Sequence, residues 1–383
     1  MANTERCSLL HLCRYFLKLG ATGFGGPIAL VGYMQRDLVE DRQWFSKEEF
    51  LDGVALSQLI PGPVASQLAM YLGYLRFGIT GATAVGVTFI LPSFLIVMAL
   101  AWAYVHYANF SWVHAFFIGM NAAVVSIIFR SAYKLTKLSV DKDLGLIALF
   151  VIAIFAAFSM KSSLALFFIA GGLIHGWRKK RTRSSLKNIP AGALLSGTFP
   201  AIISATAPLS TSMLPKLFFF FFKAGALVFG SGLVIIPLLY GGLVHDYHWL
   251  TDQQFLDAVA IAMVTPGPAL ITVAFIGYLV MGMGGATIST IGIFLPVYLY
   301  VLILGNLFQR VKHNEHLRHF VKGVTAVASG AIVGSALIVA KGAIFDLKTF
   351  LIALIAFVAI TKIKKLPEAL VILAAGLVGI LFR

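Results

Sequence analysis

A chain of 383 residues with 59% hydrophobic and 12% charged residues, at a mean hydropathy of +0.91, has too few charges to cover a water-soluble domain. It belongs in a bilayer, and its formal net charge of +15 sits mainly in short loops between apolar segments, which reads as membrane topology rather than nucleic-acid binding. No G-x-x-x-x-G-K-[ST] phosphate loop occurs, which excludes ATP hydrolysis by that route and leaves gradients to drive any transport.

The first residues, Met1 to Leu10, carry Glu5 and lack an apolar run with a small-residue cleavage site, so no removable signal peptide is expected. Cys7 and Cys13 are too few for a disulfide framework and read as free thiols. Apolar runs, charges and breakers then predict helices over Leu9–Val39, interrupted at Gly23–Pro27, and Phe50–Phe77, interrupted at Pro61–Pro63. Further helices are predicted over Gly81–Tyr107, His114–Thr136, Leu144–Met160 and Ser162–Trp177. From Gly53 to Phe129 the only charged residue is Arg76, and from Ala258 to Gln309 there is none; each stretch far exceeds the roughly 20 residues that span a hydrocarbon core.

The second half repeats this map over Leu217–Val244, Phe255–Leu279, Gly285–Phe308, Leu317–Val339, Leu347–Thr361 and Pro367–Phe382. Lys18, Trp44, Phe50, Asp52 and Pro61 each meet the same residue type 205 positions later. At an offset of 204, Gly73 pairs with Gly277, Pro92 with Pro296, Gly119 with Gly323 and Lys137 with Lys341. The chain is an internal duplication. Its expected division is a first membrane repeat over 1–177, a basic cytoplasmic loop and apolar linker over 178–214, and a second membrane repeat over 215–383.

Loop charges orient the copies. The turn Ala108–Ser111 is uncharged while its counterpart carries Arg310, Lys312 and Arg318; the turn at Lys161 is thin while Lys362, Lys364 and Lys365 crowd its counterpart. The basic cluster Arg178–Arg183 ends the first copy, whereas the second ends with only Arg383. Positive charge has changed sides, as in an inverted-topology repeat. Inversion needs an odd number of crossings per half, or an even number plus a linking helix such as Pro190–Leu214, and the sequence leaves both open. The expected fold is an all-α integral membrane protein of two homologous inverted repeats, with broken or re-entrant helices at the Pro-Gly-Pro and Gly-Gly motifs.

Helix breaks inside apolar segments free backbone groups that protein, water or ligand must satisfy. Pro61-Gly62-Pro63 and Pro266-Gly267-Pro268 break matching helices; Pro63 and Pro268 can start half-helices whose first N–H groups attract anions. Ser57, Gln58, Ser66 and Gln67 add neutral polar groups around one break, Thr265 and Thr272 around the other. A packing kink is the bland alternative; two matched breaks in two copies favour a binding site. Gly25 and Gly26, with Gly230 and Ser231, mark a second pair of breaks, suited either to ligand approach or to close helix packing. Lys18 and Lys223 form a matched ammonium pair that either neutralises a dianion or reaches the headgroups.

Asp52 and Asp257 are matched acids, read either as first-turn helix carboxylates or as proton-coupling groups. Arg130 has no charged counterpart in the second half and either guides anions or ends its helix. His313, Glu315, His316 and His319 share a basic loop that repels cations, so no metal site is expected; nor is any cofactor. No nucleophile or acid/base constellation recurs in either half, which argues against an enzyme.

The motifs F-G-G-P, W-F-S-K-E-E-F-L-D and Q-L-I-P-G-P, repeated in degenerate form as F-G-S-G, W-L-T-D-Q-Q-F-L-D and T-P-G-P, resemble the chromate ion transporter (CHR) family in its long two-domain form. The resemblance covers essentially the whole chain. It implies a multi-pass protein of the bacterial inner membrane that exports chromate and confers resistance to it. The second copy departs from the first at Ser231, Gly232, Gln253 and Gln254, where the first has Gly26, Pro27, Glu48 and Glu49, so the two halves are not expected to act equally. Expected partners are chromate or a sulfate-like oxyanion and the lipid bilayer; a homodimer is left open. A general oxyanion carrier and a selective channel are the competing readings.

Overall fold

The computed structural model describes residues 7–139, 143–159, 168, 170–176, 212–230, 232, 235–311, 315–363 and 366–382. Ser231, the Arg178–Arg183 cluster, His313, Lys161 and nearly all of Pro190–Leu214 lie outside them. In chain order the first half holds α1 (Leu9–Thr22), α2 (Gly26–Gln35, continued by a π-type turn Arg36–Asp41), α3 (Lys47–Leu59), β1 (Gly62–Pro63), α4 (Val64–Tyr107), α5 (Ser111–Ser139) and α6 (Leu144–Ser159). The second holds α7 (Met213–Leu227), β2 (Phe229–Gly230), α8 (Ile235–Tyr240, continued by a π-type turn Gly241–Asp246) and α9 (Asp252–Val264). It continues with a 3-10 turn (Ala269–Ile271), α10 (Thr272–Val311), α11 (Glu315–Ala343), α12 (Leu347–Lys362) and α13 (Glu368–Leu381). The predicted interruptions at Gly23–Pro27 and Pro61–Pro63 are both real ends of helices, because glycine and proline replace helix formers there.

Helix starts repeat as faithfully as helix breaks. Ser46 and Thr251, 205 residues apart, each cap their helix with a reciprocal capping box, to Glu49 and Gln254 respectively. The long helices α4 and α10 are each two arms joined at a kink, at Phe77–Gly78 and Met281–Gly282, with closely similar backbone angles. Gly78 and Gly282 both have φ of +60°, which a residue with a Cβ adopts only at a cost. The first arm of α4, residues 64–76, is about 20 Å long at 1.5 Å per residue, short of the roughly 30 Å hydrocarbon core.

That short arm folds back on α3. Arg76 at its end bonds the Trp44 carbonyl at 2.7 Å and the Glu49 carboxylate at 2.9 Å, beside the start of α3, and Gly53 sits under Leu68 and Tyr71. The Pro-Gly-Pro break is thus the tip of a helical hairpin. α1 and α2 form a second hairpin: the Tyr15 hydroxyl donates to Asp37 at 3.3 Å, and the Arg42 guanidinium covers the rings of Tyr15 and Trp44. Its tip is the Gly23–Gly25 break.

The two halves do not sit side by side. Between apolar helices in lipid there is little hydrophobic drive, so association rests on close packing of small residues. Gly119 of α5 lies against the Ala375 carbonyl of α13, and its counterpart Gly323 of α11 lies against Gly171. Gly330 and Gly334 of α11 lie on α6, while the Ser126 hydroxyl of α5 donates to the Ala353 carbonyl of α12 at 2.6 Å. Each half therefore packs its last helices on the other half. Across the middle, α4 and α10 run antiparallel: Tyr74 lies against Gly305, Thr83 bonds Tyr298 at 2.7 Å and the Tyr104 ring meets Phe275 edge-on.

Among the described residues, four helical stretches are long and apolar enough to cross a membrane: Val64–Tyr107, Ser111–Lys137, Ala269–Gly305 and His319–Ala343. Leu144–Ala157 and Glu368–Leu381 are shorter apolar helices. Large apolar side chains such as Leu95, Trp102, Phe155, Ile303, Ile355 and Leu377 stand exposed along the helices, which suits lipid and not water.

Candidate functional site at the crossed helix breaks

Both kinds of break meet at one place, crosswise. β1 pairs in parallel with β2, Gly62 opposite Phe229 and Pro63 opposite Gly230. The Gly62 N–H donates to the Val228 carbonyl at 2.5 Å, and the Gly267 N–H donates to the Gly23 carbonyl at 2.8 Å. Gly267 follows Gly62, and Val228 follows Gly23, by the same 205 positions, so the two bonds are one bond made twice. Backbone freed by each Pro-Gly-Pro motif is thereby satisfied by the glycine break of the other half, as apolar surroundings require.

Glycine is needed at both donors. Gly62 and Gly267 have φ of +141° and +93°. A Cβ at Gly62 would collide with the Gln67 amide, and one at Gly267 with the Ser93 hydroxyl. Ser93 of α4 in turn donates to the Gly20 carbonyl at 3.1 Å, tying α4 to the last turn of α1.

Pro63 and Pro268 are the N-cap residues of the helical turns that follow, one position earlier than a first-turn proline. Behind Pro63 the buried Gln67 donates its amide to the Pro61 carbonyl at 2.5 Å. The Ser66 hydroxyl and the Gln67 amide oxygen are buried without a hydrogen-bond partner. Each such group costs about 1–3 kcal/mol, and both stand in the first turn of a half-helix. Ser57 is buried with its hydroxyl on the Gly53 carbonyl of its own helix, and Gln58 is exposed.

The second Pro-Gly-Pro break is more apolar. Thr265 and Thr272, both buried, donate to the carbonyls of Ile261 and Ala269. A cavity of about 20 Å³ lies there among Gly232, Phe255, Val259, Ala269 and Thr272, with room for about one water. Gly25 and Gly26, with φ of +105° and +73°, begin α2 just beyond the crossing. Lys18 is exposed on α1, and Lys223 is half-buried on α7.

The two matched acids, Asp52 and Asp257, differ sharply. Neither lies in a first turn, where Glu48, Glu49 and Asp252 stand instead. Asp257 is only 3% exposed and accepts hydrogen bonds from Tyr104 at 2.8 Å, Asn121 at 2.7 Å and Gln253 at 2.9 Å. Asp52 is half-buried. The positions that match Tyr104, Asn121 and Gln253 in the other copy are Phe308, Thr325 and Glu48, so the donor set is not duplicated. Tyr104 and Asn121 come from α4 and α5 of the first half, and Asp257 from α9 of the second, so this carboxylate links the halves. Sequence reading missed Ser93, Tyr104 and Asn121; the available signal was a polar side chain inside an apolar run.

Arg130 does not end its helix, which continues to Ser139, and it pairs with Glu368 of α13 at 3.4 Å. No group of three or more metal-ligating side chains occurs among the described residues.

Helices broken at glycine and proline, with their ends meeting inside an apolar helical bundle, suit a multi-pass membrane protein. A family profile described as "Chromate transporter" matches residues 10–177 and again 215–380. The chain belongs to the chromate transporter family. It is 46% identical over 373 residues to a chromate transport protein of Cupriavidus metallidurans, covering 97% of this chain and 93% of that one. It is 46% identical over 384 residues to a probable chromate transport protein of Synechococcus elongatus, covering 98% and 96%. A chromate transport protein of Pseudomonas aeruginosa is 32% identical over 380 residues, covering 95% and 90%. No solved structure matches.

Proposed function

We propose that this chain is a secondary transporter of the inner membrane that exports chromate from the cytoplasm and so confers resistance to it. The observation that carries the reading is the reciprocal pair of hydrogen bonds, Gly62 to Val228 and Gly267 to Gly23, which brings the breaks of both halves to one point. The repeats, 1–177 and 215–383 about the 178–214 linker, have inverted topology. The antiparallel course of the matched helices α4 and α10 supports this, as does the contrast between the uncharged Ala108–Ser111 turn and Arg310, Lys312 and Arg318. The α1–α2 and α3–α4 hairpins are re-entrant, each entering and leaving on one face with its break at mid-depth.

The oxyanion binds at the half-helix N-termini after Pro63 and Pro268, where Ser66 and Gln67 offer polar groups that lack partners. Lys18 and Lys223 supply positive charge as the two halves rock about the crossing. Moving a dianion outward down an inside-negative potential yields about 4.6 kcal/mol per 100 mV, more than three decades of concentration ratio. Potential alone drives export. Asp257 is the better placed of the two acids to add proton coupling, since it lies between the halves.

The test is labelled chromate uptake into everted membrane vesicles under an imposed potential, with excess sulfate as competitor. Potential-driven uptake that resists sulfate supports a chromate exporter. Uptake abolished by sulfate makes it a general oxyanion carrier, since backbone N–H groups and ammonium ions would hardly distinguish the two dianions; absence of uptake refutes the proposal.

A further inference from the structure

The duplication makes two versions of one helix contact, and they differ. On α11, Gly330 and Gly334 let α6 approach so closely that a side chain at either would collide with Phe150 or with Ile154 and Ala157. The matched positions on α5 are Ser126 and Arg130, 204 residues earlier, and there α12 meets α5 through the Ser126–Ala353 bond. Beside that bond a groove of about 510 Å³ lies between α5 and α12, lined by Phe129, Arg130, Tyr133, Phe350, Leu354 and Phe357. Its size falls in the range of about 300–1,000 Å³ found for small-molecule sites.

We propose that this groove binds an anionic glycerophospholipid, with an acyl chain along the aromatic floor and the phosphate at Arg130. The inference needs only that the chain lies in a bilayer, and stands apart from the transport proposal. The groove is amphipathic along its length: Phe350, Leu354 and Phe357 are exposed, and Arg130, Tyr133 and Thr361 are at one end. Charge selects the headgroup. Arg130 and Lys134 stand near Glu368 at that end, with Lys137 farther along α5 and Lys362 next to Thr361 in the chain, and a phosphate completes the guanidinium that Glu368 meets only at 3.4 Å. The same charges disfavour a second copy docked face to face, which would oppose cation to cation.

The experiment is native mass spectrometry of the purified chain titrated with phosphatidylglycerol or with phosphatidylcholine. The expected result is one tightly retained phosphatidylglycerol per chain, with its preference over phosphatidylcholine falling roughly fivefold in Arg130→Ala and largely kept in Arg130→Lys. Leu354→Trp, which fills the groove and leaves the charge, should lose both lipids. Equal retention of the two lipids by the wild type, or an undiminished preference in Arg130→Ala, overturns the proposal. Disulfide-linked dimers through Tyr133→Cys in lipid-bound protein also overturn it, by showing the groove covered by a second copy.

Discussion

Gly62 donates its amide hydrogen to the carbonyl of Val228, and the same bond recurs from Gly267 to Gly23. Each half closes the other's break, so neither half has a complete central crossing alone. A chain cut to its first repeat would leave the Gly62 and Gly23 backbone groups unpaired in apolar surroundings.

Gly62→Ala and Gly267→Ala should abolish or strongly reduce transport in protein that still reaches the membrane. Both positions carry positive φ, where a Cβ costs about 1–2 kcal/mol, and each new methyl meets a buried polar side chain. Vesicle uptake normalised to membrane protein checks this; normal rates in both variants would remove the crossing from the mechanism.

Lys18→Ala and Lys223→Ala should each lower anion uptake by about tenfold or more, with the double variant inactive, if the ammonium groups compensate the charge of the dianion. Lys→Arg at either position should retain more activity than Ala. Unchanged uptake in the double variant would leave the helix N-termini as the site's only positive element.

Asp257→Ala leaves the buried Asn121 amide and the half-buried Tyr104 and Gln253 donors without their acceptor, and a buried unpaired group costs about 1–3 kcal/mol. The melting temperature of the solubilised protein should fall clearly, and less in Asp257→Asn. The drop in Asp52→Ala, at a half-buried position, should be smaller than in Asp257→Ala; the reverse order would contradict the network. Loss of pH dependence of uptake in Asp257→Asn alone would identify it as the proton-coupling acid.

Ser111→Cys and Glu315→Cys mark the starts of the matched helices α5 and α11. In a background lacking Cys7 and Cys13, a membrane-impermeant maleimide should label one from outside intact cells and the other only in everted vesicles. Labelling of both from one face would exclude inverted repeats.

Gly119→Leu and Gly323→Leu press a large side chain onto the backbones of α13 and of residues 170–176. Overpacking of this kind costs about 1–3 kcal/mol, and both variants should melt lower than wild type by similar amounts, since the two contacts are copies. A large difference between them would mean the two contacts are not equivalent in solution.

A membrane protein, its duplication and the places of its helix breaks are all legible along the chain. These follow from local rules: apolar length against bilayer thickness, and the inability of Pro61, Pro63, Pro266 and Pro268 to continue a helix. Residue offsets between copies also show which positions match. Which break meets which is not written there. Packing of the two halves pairs Gly62 with Val228 instead of with its own copy's glycines, because satisfying freed backbone groups in an apolar interior depends on partners far away in the chain. Packing likewise separates Asp257 from Asp52, two acids alike in local context, by bringing Tyr104 and Asn121 from the other half to Asp257. Burial and donor convergence arise between halves, and contacts between halves leave no periodic trace along either one.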